Sequence, residues 1–255
     1  MEREIYEKII AKKEFSNLPK KDVELAWSHF EKRQTSDEEK IKLTRDLLRK
    51  VFSAFSSSKL LNLKDKEPEW ILKKHISTRE RFDYYQDLYA KVLPDGKAMV
   101  FDFGAGVNGF SYNYIKEINK KINYVAVESV GQLVDLMNYY FKTREIEGAE
   151  ALQISLFDLE KIKQLLKSNK NEKIIFLFKV VDSLEMLERD YSKQLLKEIV
   201  PLVDSVVISF ATESLISRKK FGAKRTWLKN FLEDNFEIAD EFQLGSEKYL
   251  IIKNS

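Results

Sequence analysis

Apolar positions in the first quarter of the chain recur at helical spacing. Ile5, Ile9 and Ile10, then Val23, Leu25, Ala26 and Phe30, then Leu43, Leu47, Leu48, Val51 and Phe55 each fall on one helix face. Breaks at Ser16-Asn17-Leu18-Pro19, Gln34-Thr35-Ser36-Asp37 and Ser56-Ser57-Ser58 separate these helices. Ser36 followed by Glu39 predicts a capping box for the third. The pattern predicts a small helical bundle over residues 1–66. From Pro68 a further helical stretch runs through Trp70, Ile71 and Leu72, followed by a polar turn and a longer helix from Glu80 to Val92.

After the turn Pro94-Asp95-Gly96 the texture changes. Short apolar runs at Ala98–Phe103, Tyr124–Glu128, Ala151–Ser155, Ile174–Phe178 and Ser205–Phe210 predict strands. Helical patterns at Asn113–Asn119 and Gln132–Glu145 alternate with the first of them, which argues for a mostly parallel sheet covered on both faces. Phe236–Phe242 and Lys248–Ile252, around Leu244-Gly245-Ser246, predict an antiparallel closing hairpin. The fold class is α/β: a Rossmann-like sheet with an antiparallel C-terminal hairpin, preceded by a helical bundle. The expected division is a helical region over 1–92, comprising the bundle at 1–66 and connecting helices at 67–92, and a sheet domain over 93–255.

Composition narrows the chemistry. The 255 residues contain no cysteine, which excludes disulfides, thiolate catalysis and cysteine-bound zinc. His29 and His75 are the only histidines, so no multi-histidine metal site is expected. No apolar run approaches the roughly 20 residues of a membrane span, and the mixed-charge start Met1-Glu2-Arg3-Glu4-Ile5 lacks an export signal. A cytoplasmic protein without a membrane partner is expected. The net charge of +3 does not by itself argue for nucleic acid. Residues 1–66 hold 16 Lys/Arg against 12 Asp/Glu, an excess that a solvated bundle surface explains.

Gly104, Gly106 and Gly109 satisfy G-x-G-x-x-G directly after a strand, and Glu128 ends the next strand. Glycines there let a ligand approach the backbone, and the acid can accept hydrogen bonds from ribose hydroxyls. Nicotinamide, flavin and S-adenosylmethionine enzymes share this pattern. Asp102 favours the last, because it would repel a pyrophosphate and welcome a methionine ammonium. Upstream lies His75-Ile76-Ser77-Thr78-Arg79-Glu80-Arg81. A capping box accounts for Ser77 and Glu80 but leaves His75 and Arg81 unexplained. Beside a helix start, Arg81 could hold a carboxylate.

The His-x-Ser-Thr-Arg-Glu-Arg segment followed by the glycine loop resembles the aminoglycoside-resistance 16S rRNA methyltransferases, which modify guanine N7 in the decoding site. The resemblance continues in register through Leu177-Phe178-Lys179 with Leu184-Glu185, Ser209-Phe210-Ala211-Thr212-Glu213-Ser214-Leu215, Phe236-Glu237-Ile238 and Gly245-Ser246-Glu247-Lys248-Tyr249-Leu250-Ile251-Ile252-Lys253. It implies S-adenosylmethionine as cofactor and 16S rRNA in the 30S subunit as substrate. It also implies a monomer, a methyltransferase core over 93–255 and an rRNA-binding region over 1–92. His75, Ser77 and Arg81 would hold the methionine end. Phe103, Gly104, Ala105 and Gly106 would line the cofactor, and Glu128 would take the ribose. Phe157, Asp158 and Leu159 would sit against the adenine. Lys179, at the end of a buried strand, is a positioning candidate; no general base is expected, since guanine N7 carries no proton.

Between Glu213 and Glu233 no acidic residue interrupts Arg218, Lys219, Lys220, Lys224 and Arg225, and Trp227 offers a stacking face. These are the expected RNA contacts, with Lys20 and Lys21 of the bundle as phosphate contacts. Three readings remain open beside this one: a methyltransferase for tRNA or a small molecule, an RNA-binding protein with a vestigial cofactor pocket, and a nicotinamide oxidoreductase.

Overall fold

The computed structural model describes residues 1–53, 66–168, 171–212 and 226–255. Seven strands form one sheet: β1 (Ala98–Phe103), β2 (Asn123–Glu128), β3 (Ala149–Gln153), β4 (Glu172–Phe178), β5 (Ser205–Ala211), β6 (Glu237–Leu244) and β7 (Glu247–Lys253), in the order β3-β2-β1-β4-β5-β7-β6. The first five are parallel, and β7 inserts antiparallel between β5 and β6. The expected α/β class and antiparallel closing hairpin are both present. Each expected strand forms, with ends that shift by a residue or two.

Ile174 to Phe178 of β4 are all buried, as a central strand covered on both faces requires. The order reverses direction at β1, flanked by β2 on one side and β4 on the other. A ligand crevice is expected beyond the carboxyl ends of the strands at such a switch point.

The N-terminal bundle comprises α1 (Arg3–Ile10), α2 (Lys20–Ser28) and α3 (Asp37–Leu48), continued by a π-helical turn at Arg49–Ser53. Ser36 caps α3, accepting from the Glu39 N–H at 3.3 Å. Arg45 donates to the Ile9 and Lys8 carbonyls and satisfies the end of α1. Apolar residues of the bundle, including Ile9, Val23, Trp27 and Leu48, join the same buried cluster as the sheet core. No helix among the described residues is long and apolar enough to cross a membrane.

Two local expectations are corrected. The helix from Glu80 to Val92 is instead α5 (Ile76–Arg81), a 3-10 turn at Phe82–Tyr84 and α6 (Tyr85–Val92), preceded by α4 (Pro68–Lys74). α5 packs on α4 and α6 packs on α7 (Tyr112–Ile118), so the tightened turn re-aims the chain between two partners. The capping box at Ser77 and Glu80 does not form either. The helix starts two residues earlier, with His75 at the N-cap, and Thr78 stitches the α4–α5 junction by donating to the Leu72 carbonyl at 2.6 Å. The sheet domain is completed by α8 (Gly131–Thr143), α9 (Leu159–Lys167), α10 (Val181–Leu187), α11 (Tyr191–Ile199) and α12 (Thr226–Asn235).

Candidate functional site

A pocket opens beyond the carboxyl ends of β1, β2 and β4, where ligands bind in open α/β sheets. His75 and Ser77 reach it from the α4–α5 junction, Gly104 and Gly106 from the glycine loop, and Glu128 from the end of β2. Phe157 comes from the loop after β3, and Lys179 from the end of β4. The structure thus brings together seven of the residues singled out in the sequence.

Gly104 and Gly106 both have left-handed backbones, with φ of +68° and +57°. A Cβ on Gly106 would stand 3.3 Å from the His75 ring, so this glycine lets the histidine close one wall. Glu128 is clasped by backbone: Gly106 N–H donates to Oε2 at 2.8 Å and Val130 N–H to Oε1 at 2.9 Å. Burial pushes its carboxyl above the ordinary value, opposed by those N–H groups. A carboxylate has about four acceptor positions, so acceptor capacity remains for a ligand.

Burial, helped by the charges of Arg81 and Lys179, lowers the His75 pKa to about 3. Its ring is therefore neutral, and Nδ1 lies 3.0 Å from the Ser77 hydroxyl. Lys179 has a left-handed backbone, φ 60°, unusual for a residue with a side chain. Its ammonium lies 2.5 Å from Glu80 Oε2 and 3.4 Å from Glu247 Oε2. Glu80, which a local capping box would have occupied, is instead the counter-ion of Lys179, which lines the pocket.

Arg81 does not reach the pocket wall. It is 2% exposed and pairs with Glu247 at 2.8 Å, donates to Asn108 Oδ1 at 3.1 Å, and lies 4.4 Å over the Phe178 ring. Burial alone would raise Glu247, but Arg81 and Lys179 outweigh it and hold that carboxyl below its usual range. Asp102 likewise faces inward, accepting from Tyr124 at 2.6 Å and from Asn108 at 2.7 Å. The expected greeting of a methionine ammonium by Asp102 is thus replaced by a fully buried hydrogen-bond network.

Asp158 caps α9 and pairs with Lys161 at 3.0 Å, outside the pocket. Leu159 is partly buried against the core, Phe103 is fully buried, and Ala105 is enclosed without lining the cavity. Lys21, expected on RNA, donates inward to the Phe157 carbonyl at 2.6 Å. Lys20 is exposed and lies 3.5 Å from Glu24. Trp227 is exposed at the start of α12, with the Lys193 ammonium 5.4 Å from its ring centroid. Arg218, Lys219, Lys220, Lys224 and Arg225 lie outside the described residues.

Sequence reasoning missed much of the apolar wall, including Leu133, Leu156, Val180 and Leu184. Val180 and Leu184 share a helix face at i, i+4 just past β4, a signal that could have flagged them. Val51 and Phe52 arrive from the bundle's π-helical turn, and no local pattern announces that.

No family model matches the chain, and no curated protein matches it in sequence. Solved structures do match. The 16S rRNA methyltransferase RmtF, in complex with S-adenosyl-L-homocysteine, superposes with a TM-score of 0.81 at 17% identity, covering 100% of both chains. The 16S rRNA methylase RmtB gives 0.77 at 18% identity, covering 99% of this chain and 98% of the other. An rRNA methylase from Escherichia coli also gives 0.77 at 18% identity, covering 99% of each. From its N-terminal helices to its closing strand pair, the chain has the fold of these 16S rRNA methyltransferases.

Proposed function

We propose that the chain is an S-adenosylmethionine-dependent methyltransferase that modifies N7 of a decoding-site guanine in 16S rRNA, within the 30S subunit, and so protects ribosomes from aminoglycosides. It would act as a cytoplasmic monomer, with 1–92 contacting rRNA and 93–255 carrying the methyl donor. The observation that carries the reading is the pocket itself. It combines the apolar side chains of Leu133, Leu156 and Phe157, the Glu128 carboxylate, and Lys179, whose ammonium pairs with Glu80.

These residues fit the cofactor in character. Leu133, Leu156 and Phe157 would enclose the adenine, and Glu128 would accept from the ribose hydroxyls. Lys179 would hold the methionine carboxylate, while Glu80 would face the ammonium, so a zwitterion replaces an internal ion pair without change of net charge. Neutral His75 and Ser77 would add uncharged hydrogen bonds at the same end. When bound, the cofactor supplies an electrophilic methyl on a sulfonium. The chain's own task is to align that methyl with a ring nitrogen whose in-plane lone pair needs no deprotonation, so positioning replaces acid–base catalysis. The resemblance assigned Arg81 to the carboxylate; in this reading it instead braces the wall behind Phe178.

Transfer of tritiated methyl from the cofactor to 30S subunits, free 16S rRNA and tRNA tests the proposal, with the modified base mapped by strand scission at N7-methylguanine. Incorporation into 30S subunits at a decoding-site guanine is expected. Labelling of tRNA alone, or of none of the three, would overturn it.

A further inference from the structure

Asp22 is a carboxylate with no solvent exposure, on a helix of the N-terminal bundle. It serves the sheet domain rather than its own bundle. Its Oδ1 accepts from the Ser155 hydroxyl, and Ser155 Oγ in turn accepts from the Phe157 N–H at 3.1 Å. The adjacent Lys21 takes the other side of the same residue, donating to the Phe157 carbonyl. The carbonyl of Phe157, a pocket-wall residue, is thus held directly by Lys21, and its N–H is held through Ser155 by Asp22.

The second loop at that end of the pocket is held the same way. The Asn17 carbonyl, just before α2, accepts from the Gly131 N–H at 3.3 Å and from Gln153 Nε2, which also donates to the Ser129 carbonyl at 3.0 Å. A Cβ on Gly131 would meet Asn17 Cβ at 2.9 Å, so the two segments are in direct contact. Ser129 lines the pocket, and its hydroxyl also favours the charged form of Asp22.

Burying a carboxylate is costly unless its hydrogen bonds return the loss. Here the hydrogen bond from Ser155 ties Asp22 to the loop after β3, whose Leu156 and Phe157 line the pocket. We propose that Asp22 is a positioning residue for the adenosine end of the cofactor, acting through Ser155 and Phe157, so that the docked bundle is part of the cofactor site. This rests on the pocket being the S-adenosylmethionine site.

Calorimetric titration of the full-length protein with S-adenosylhomocysteine at pH 7.5 tests it, beside KM for S-adenosylmethionine and kcat on 30S subunits. Wild type is expected to bind. Asp22→Ala should weaken binding tenfold or more and raise KM with little change in kcat. Asp22→Asn keeps an acceptor for Ser155 and should bind within about threefold of wild type. Hydrogen exchange at 129–131 and 155–158 should rise in Asp22→Ala alone. Binding by wild type and undiminished binding by Asp22→Ala overturns the inference and leaves the pocket assignment standing. No binding by wild type overturns the pocket assignment, and the inference with it. If Asp22→Ala does not fold, Lys21→Met decides in the same assay. A threefold or greater loss of affinity supports the inference, and an unchanged affinity overturns it.

Discussion

Lys179 Nζ lies 2.5 Å from Glu80 Oε2, two side chains 99 residues apart in sequence, and the lysine keeps a left-handed backbone to make the contact. A local conformational cost of about 1–3 kcal/mol is tolerated where the surroundings over-determine the residue. Here the neighbouring Glu247 and the Lys179 N–H bond to the Ser209 carbonyl do so. Lys179→Met is therefore expected to stay folded by circular dichroism while losing S-adenosylhomocysteine affinity roughly 10- to 100-fold, as loss of a charge-assisted contact implies. Affinity equal to wild type in calorimetry would remove Lys179 from the site.

Arg81 should behave in the opposite way. Removing it leaves Glu247, whose side chain is 2% exposed, with Lys179 at 3.4 Å as its counter-charge, and breaking such a buried pair costs up to about 3–5 kcal/mol. Arg81→Met is expected to lower the urea midpoint sharply, and Glu247→Gln added to it should restore part of the loss. Double-mutant additivity, with no recovery, would show that the pair is not the stabilising unit.

His75 links stability to acid. Its folded pKa of about 3 lies below the ordinary 6.5, so the unfolded chain binds the proton first. Its contribution is complete above pH 6.5 and is lost as pH falls towards 3, at about 1.4 kcal/mol per pH unit. Urea unfolding of wild type and His75→Asn at pH 7.5, 6.0 and 5.0 should show their difference shrinking steadily with acidity. A constant difference would mean that His75 titrates normally.

Asp22 has the reverse sign. Burial raises its pKa from 3.8 to about 6, so its protonated form is the one the fold prefers. The favourable contribution is present below pH 3.8 and lost as pH rises through 6. Asp22→Asn should therefore gain stability at pH 7.5, on the order of 2–3 kcal/mol, and show no gain near pH 4. Denaturant titrations at the two pH values read this directly; equal effects at both would place an ordinary carboxylate at position 22.

The strands were legible because central parallel strands must be apolar along their whole length, as Ile174–Phe178 is. Gly104, Gly106 and Glu128 were legible because turn geometry and strand ends impose residue types locally. The helix-start motif misled for the same reason: Ser-x-x-Glu is a local signal, whereas Glu80 answers to Lys179 across the fold. Arg81 and Asp102 look like ligand contacts in the sequence because Glu247 and Tyr124, which engage them, come from distant strands. Nothing near Val51 or Phe52 could show that the bundle would deliver them to the pocket.

Those two residues make the bundle unsuitable as an exchangeable part. A helical appendage that only gripped RNA could be traded between enzymes to change their target. Here Val51, Phe52, Asp22 and Lys21 are committed to the pocket and the loops that form it. Retargeting this protein would have to proceed by surface substitution, because grafting in another bundle would replace part of the pocket wall as well.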